Sequence, residues 1–165
     1  MRTVICPGSF DPVTLGHLDI ITRSSKIFDK VIVLVMTNYK KQNSYSFTSD
    51  ERVEMIRECT KNLKNVEVDS YDGLLAEYAK QIGAVAIVKG LRAVSDFEYE
   101  FQMNHINKKI NPELETMFLT ANEKYTFLSS SVVREVASYG ADLTGFVPRE
   151  IVAEIEEKAK LWRQK

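Results

Sequence analysis

Thr3-Val4-Ile5-Cys6-Pro7-Gly8-Ser9-Phe10-Asp11-Pro12-Val13-Thr14-Leu15-Gly16-His17 is the stretch that decides the fold. Its first four residues read as an apolar strand and residues 7–12 as a turn. Thr14 opens a helix whose apolar positions recur at Leu18, Ile21, Ile27 and Phe28. Where a strand hands over to a helix N-terminus, unpaired N–H groups and the positive end of the helix dipole together attract anions. Gly16 has no Cβ to keep a ligand off the backbone, and His17 falls on the first turn beside those amides. A phosphate site is the expectation.

Outward from this stretch, strand and helix patterns alternate. Residues 31–36 form an apolar, β-rich run, and residues 37–46 a polar one carrying Lys40 and Lys41. Thr48 and Glu51 have capping-box spacing ahead of a helical stripe at Val53, Ile56 and Cys59. Residues 66–71 alternate like a third strand. Leu74, Leu75, Tyr78, Ala79 and Ile82 make a helix face closed by Gly83, which suits a left-handed cap. A fourth short strand over 85–88 ends at Lys89-Gly90-Leu91-Arg92. A helix marked by Phe97, Phe101 and His105 or Ile106 comes next, then a fifth strand over 115–119. Helices over 129–139 and 148–162 close the chain, with Pro148 at the first turn of the last. This order predicts an α/β fold: a Rossmann-like, doubly wound, five-stranded parallel sheet with helices on both faces. Ligands then sit outside the carboxyl ends of the strands. No repeat or linker divides the chain, so residues 1–165 read as one domain.

Composition excludes several classes. Twenty-two basic and 23 acidic side chains leave a formal charge of −1, so no cationic surface for nucleic acid or an anionic membrane is expected. Anion binding must be local. The two cysteines, Cys6 and Cys59, read as small core hydrophobes, and no spacing of Cys and His suggests a metal or disulfide scaffold. No apolar run approaches the ~20 residues that span a bilayer, and no signal-peptide pattern precedes the first strand. A cytoplasmic location is expected.

In the expected topology, the loops after strands one, two, four and five emerge on one edge. They carry residues 9–17, Lys40 and Lys41, residues 89–92, and residues 125–131. His17 is expected to donate a hydrogen bond to phosphate rather than act as a nucleophile. His105 reads as an ordinary buried helix residue. Ser129-Ser130-Ser131 supply an N-cap, and three hydroxyls in a row also suit a polyphosphate. Arg134 is either a phosphate clamp or a solvated charge. Lys40 and Lys41 read as a solvated pair or as point charges closing on phosphate. Lys89 and Arg92 flank Gly90 directly after a buried strand, which solubility does not explain. Asp96 favours the helix dipole, and of Glu98 and Glu100 only one can face the cleft.

These residues carry a resemblance. The turn Gly8-Ser9-Phe10-Asp11-Pro12, the Thr14-x-Gly16-His17 motif, the run from Lys89 through Gly90-Leu91-Arg92-Ala93-Val94-Ser95-Asp96-Phe97-Glu98-Tyr99 to Glu100, and Phe127-x-Ser129-Ser130-Ser131 closely resemble the bacterial phosphopantetheine adenylyltransferase family. The first motif and the serine triplet mark the wider nucleotidyltransferase superfamily; the Gly90–Glu100 run is far more specific. The resemblance implies synthesis of dephospho-coenzyme A and pyrophosphate from ATP and 4′-phosphopantetheine. It sets Ser9 and Phe10 against substrate and ATP and gives His17 the α-phosphate. Lys40 would contact phosphate; the loop beyond Lys41 is longer than usual, so either lysine could fill that role. Leu75 aligns with a pantetheine-side contact, and Lys89 stands where many members have arginine, which keeps charge but loses bidentate geometry. Gly90, Leu91, Arg92, Glu100 and the stretch Tyr125, Thr126, Phe127, Leu128, Ser129, Ser130, Ser131 match ATP-site positions. A homohexamer and feedback by coenzyme A are further implications.

The implied chemistry is direct in-line attack by the acceptor phosphate on the α-phosphorus of ATP. Positioning and electrostatics carry such a reaction; His17, Lys40, Lys41 and Arg92 would supply them, and Mg²⁺ would arrive on ATP oxygens. The rival readings are a nucleotidyltransferase for another phosphate, such as nicotinate mononucleotide, and a non-catalytic nucleotide sensor. An isolated tRNA-synthetase-like core would need a basic surface that is not present.

Overall fold

The computed structural model describes residues 1–37 and 44–162. Five strands, β1 (Thr3–Gly8), β2 (Lys30–Met36), β3 (Val66–Tyr71), β4 (Ala86–Leu91) and β5 (Glu115–Thr120), form a parallel sheet in the order β3-β2-β1-β4-β5. Between them and after them run α1 (Leu15–Ile27), α2 (Ser49–Thr60), α3 (Leu75–Ile82), α4 (Val94–Ile110), α5 (Ser130–Ser138) and α6 (Val152–Trp162). The expected Rossmann-like sheet is what forms.

Side chains alternate across each strand, so two cores result. Val4, Cys6, Val31, Val33, Val35, Ala86 and Val88 face one side, where Ile21 of α1, Ile56 of α2, Val133 of α5 and Ile155 of α6 cover them. Ile5, Ile32, Leu34 and Ile87 face the other, under Ala76, Tyr78 and Ala79 of α3 and Leu114. Because both faces are covered, β1 and β2 are apolar almost throughout rather than alternating.

Register then opens the site. β1 pairs with β2 along its whole length, from Thr3 opposite Lys30 to Gly8 opposite Val35. Towards β4 it pairs only at Val4 and Ile5, opposite Ala86 and Ile87. Beyond those residues the two strands part, and the crevice lies at the point where the chain switches from building the sheet one way to building it the other.

Local signals hold in detail: Thr48 and Glu51 make a reciprocal capping box, and Gly83 ends α3 at φ 65°. Three expectations are corrected. β4 continues to Leu91, so Lys89 and Gly90 are strand residues paired with Phe118 and Leu119, not loop residues. Pro148 precedes a short 3-10 turn (Arg149–Ile151) instead of opening α6. His105 is exposed, its ring edge-on to Phe101 at 4.6 Å. The last error has a cause: α4 lies on the sheet with little of itself buried, leaving Phe97, Tyr99, Phe101 and Ile106 between 42% and 60% exposed. Among the described residues, no helix is long and apolar enough to cross a membrane.

Candidate active site

A cleft of about 550 Å³ occupies the gap between β1 and β4. Its β1 wall is built from a turn with few free groups. Phe10 sits at φ 50°, a left-handed conformation that a bulky residue rarely adopts, and the Asp11–Pro12 peptide is cis. Phe10 is buried, its ring edge-on to His17 with centroids 5.0 Å apart. Gly8 makes room for that ring: a Cβ there would stand 3.0 Å from Phe10 Cζ.

Side chains from two helices hold the turn's carbonyls. Arg52 Nη1 of α2 donates to Ser9 O at 2.7 Å, and Arg134 Nη1 of α5 donates to Asp11 O at 2.5 Å. Ser130 Oγ donates to Pro12 O at 2.7 Å. The Asp11 carboxylate accepts the backbone N–H groups of Ser46 and Phe47 at 3.0 and 2.9 Å and lies 3.6 Å from Arg134. Arg134 is thus no freely solvated charge; it braces Asp11.

His17 is the third residue of α1, where a capping-box side chain reaches back to the cap. Its Nδ1 accepts the Thr14 backbone N–H at 3.0 Å, while its own N–H donates to Thr14 Oγ1 at 3.3 Å. An amide can only donate, so Nδ1 is unprotonated and the neutral ring carries its hydrogen on Nε2. Burial, with Arg92 and Lys89 nearby, pushes the imidazole down to about 4. The ring is a neutral donor at physiological pH. Leu15 N–H bonds to Phe146 O, which leaves the Gly16 amide without a protein acceptor among the described residues.

The opposite wall carries the charge. Lys89 Nζ lies 3.2 Å from Glu100, and Arg92 Nε 3.3 Å from Asp96, whose carboxylate also accepts the Arg92 backbone N–H. Arg92 Nη1 donates to Leu128 O at 2.8 Å, tying β4's exit to the loop before α5. Gly90 lets α1 pack against β4, since a Cβ would stand 3.0 Å from Ile20 Cγ1. At α5, Ser129 is the N-cap, accepting Val132 N–H at 3.2 Å, and Ser131 Oγ accepts from Arg134. The three hydroxyls therefore all have protein partners, and the first-turn amides of α5 are what the triplet offers an anion.

The cleft gathers Phe10, His17, Lys89, Gly90, Arg92, Glu100, Tyr125, Leu128, Ser129 and Ser130 from the sequence-derived set. It is not lined by Ser9, Leu91, Thr126, Phe127 or Ser131; Phe127 is 91% exposed. Leu75, like Met36 and Tyr71, packs against the other core, and Tyr71 also lines a second hollow at the ends of β2 and β3. Lys40 and Lys41 lie outside the described residues. Sequence reading gave no role to Asp11, Arg52, Tyr99 or Asn122. Tyr99 and Asn122 line the cleft, and only the extent of β4 and the position of α4 would have pointed to them.

Comparison with known proteins bears on what such a cleft serves. Residues 5–136 match the cytidylyltransferase-like family. The chain is 55% identical over 160 residues to a phosphopantetheine adenylyltransferase of Caldanaerobacter subterraneus subsp. tengcongensis, spanning 97% of this chain and 99% of the relative. It is 56% identical over 155 residues to the enzyme so named from Finegoldia magna, spanning 94% of each, and 48% identical over 161 residues to that of Clostridium botulinum Alaska E43, spanning 98% and 100%. A crystal structure from Vibrio parahaemolyticus, described as a nicotinate-nucleotide adenylyltransferase, superposes with TM-score 0.66 at 19% identity over 100% of this chain and 98% of that one. At that identity the likeness is one of fold.

Proposed function

The chain belongs to the phosphopantetheine adenylyltransferases, and we propose that its cleft moves AMP from ATP to 4′-phosphopantetheine by direct in-line attack. The products are dephospho-coenzyme A and pyrophosphate, a step of coenzyme A biosynthesis. The observation that carries the mechanism is a neutral imidazole fixed in one tautomer, lining a crevice edged by two cations and two helix starts. The acceptor's phosphate monoester is already anionic, so no protein base is needed. What remains is to hold two anions in line and to stabilise charge gathering on the α-phosphoryl oxygens.

His17 Nε2–H donates to those oxygens. Being neutral, the ring offers a hydrogen bond without surrendering a proton. Lys89 and Arg92 exchange carboxylate partners for phosphate oxygens, and the Gly16 amide with the first turn of α5 accepts the remaining charge. Lys40 and Lys41 would add point charges to the phosphates. Mg²⁺ would offset charge on the triphosphate. Among the described residues, no three His, Cys, Asp or Glu side chains gather to hold a metal, and Asp96 and Glu100 are engaged by Arg92 and Lys89. Nucleotide oxygens and water would then hold the ion.

The protein is read as a cytoplasmic homohexamer that responds to coenzyme A. The exposed aromatic face of α4 supports self-association. Coenzyme A shares the adenylyl and pantetheine portions of the product, which supports occupancy of the same cleft. Pyrophosphate release with ATP and each of several phosphate acceptors tests the reading. Release with 4′-phosphopantetheine and not with nicotinate mononucleotide is expected; the reverse preference overturns the acceptor, and no release with any acceptor leaves a binding module.

A further inference from the structure

Arg52 is 2% exposed, yet it is a full positive charge. Its Nη1 donates to Ser9 O at 2.7 Å and its Nε to Thr48 O at 3.3 Å, and its guanidinium lies 4.2 Å from the centre of the Tyr45 ring. Stability alone does not account for such a residue. Well-packed apolar side chains commonly replace buried charges at no loss, and α2 already has an apolar stripe at Val53 and Ile56. What the guanidinium does that an apolar group cannot is tie the Ser9 carbonyl to α2.

The Ser9 carbonyl belongs to the peptide plane joining Ser9 to Phe10. The bond on the far side of the plane is the one whose torsion defines φ of Phe10, held at 50°. Phe10 in turn meets the imidazole of His17 edge-on at 5.0 Å. A continuous chain of contacts therefore runs from α2 to the ring at the reaction centre.

We propose that Arg52 is a positioning residue: by holding the Ser9 carbonyl it fixes the Phe10 turn, and through the Phe10 ring it sets the aim and the dryness of the His17 imidazole. It touches no substrate. The inference rests on the reading of His17 as a phosphate donor, but one of its tests does not.

The test uses the full chain with Arg52→Lys, which keeps the charge and loses the fork, and Arg52→Met, which keeps the bulk of the stem. Two quantities are measured: kcat and KM for ATP by pyrophosphate release, and the tautomer and titration of the His17 ring by ¹⁵N NMR without substrate. The charged groups facing the ring, Lys89 and Arg92 with their partners Glu100 and Asp96, are unchanged in both variants. In Arg52→Lys, kcat is expected to fall about 5-fold with KM for ATP within 2-fold. The ring should titrate above the parent value of about 4, because a loosened turn admits water. Arg52→Met should lose about 50-fold in kcat and populate both tautomers.

A folded Arg52→Lys protein with parental kcat and parental ring signals overturns the proposal. So does a loss confined to KM with the ring unmoved, which would make Arg52 a substrate contact. If Arg52→Met does not fold while Arg52→Lys is parental in both measurements, the residue is structural only and the proposal fails. Should the acceptor prove to be another phosphate, the ring measurement still decides the role of Arg52.

Discussion

The two walls of the cleft are built on opposite principles. On the β1 wall, Phe10, Asp11 and Thr14 are buried, and the carbonyls of Ser9, Asp11 and Pro12 are each held by a side chain from α2 or α5. On the β4 wall, the working groups are half in water: side-chain exposure is 25% for Lys89, 18% for Glu100, 39% for Arg92 and 29% for Asp96. Ion pairs of the second kind contribute about 0–1 kcal/mol each, so a triphosphate can displace the carboxylates at small cost. The first kind cannot move without breaking several bonds together. One wall is preorganised to present a donor at a fixed point; the other holds its cations on exchangeable partners until a polyanion arrives.

That contrast breaks first at the imidazole. His17→Ala should lower kcat by about 10²–10³, the usual effect of deleting one donor aimed at developing phosphoryl charge, while the ATP dissociation constant measured by calorimetry changes by less than about 3-fold. A comparable loss in binding would move His17 from the transition state to the ground state. Next, Asp11→Ala removes the carboxylate that Arg134 and two amides share, leaving buried groups unpaired. Urea unfolding should show a loss of about 3 kcal/mol, whereas Asp96→Ala on the mobile-partner wall should cost under about 1 kcal/mol.

The pH dependence of stability sharpens the same point. His17 titrates near 4 in the folded chain against an ordinary 6.5, so between those values the unfolded chain binds the extra proton. The stability supplied by the neutral ring is complete above pH 6.5 and is lost as pH falls towards 4. The parent should therefore lose more stability than His17→Gln on going from pH 7 to pH 5 in urea titrations, and parallel curves would place the ring in water. The smallest effect tests the fit between walls. Gly90→Ala brings a methyl to 3.0 Å from Ile20 Cγ1, which should cost about 1–2 kcal/mol, and the pair Gly90→Ala with Ile20→Val should recover part of it.

Much of this was legible beforehand, for physical reasons that differ by residue. Strands buried on both faces read as apolar runs, and caps such as Thr48 with Glu51 are written locally, so the element order and the parallel sheet followed. His17 was legible because a strand, a turn and a helix start fall within 15 residues of one another. The serine triplet is legible as the N-cap of α5, whereas the partners of its hydroxyls, Val132, Pro12 and Arg134, are set by the fold. Arg52 was invisible because its partner, the Ser9 carbonyl, lies 43 positions away, and an arginine beside a capping box looks like any solvated helix charge. His105 misled for the converse reason: apolar spacing on α4 signals a covered face, whereas Phe97, Phe101 and Ile106 are largely exposed.

Ser130 reaches the Pro12 carbonyl across 118 positions of sequence, and Arg134 reaches Asp11 across 123. On a ribosome releasing the polypeptide in order, the histidine emerges well before Ser130 and Arg134, the residues that complete its surroundings. The site is therefore assembled from segments far apart in sequence, and a fragment stopping short of residue 134 would carry the motif without inheriting the site.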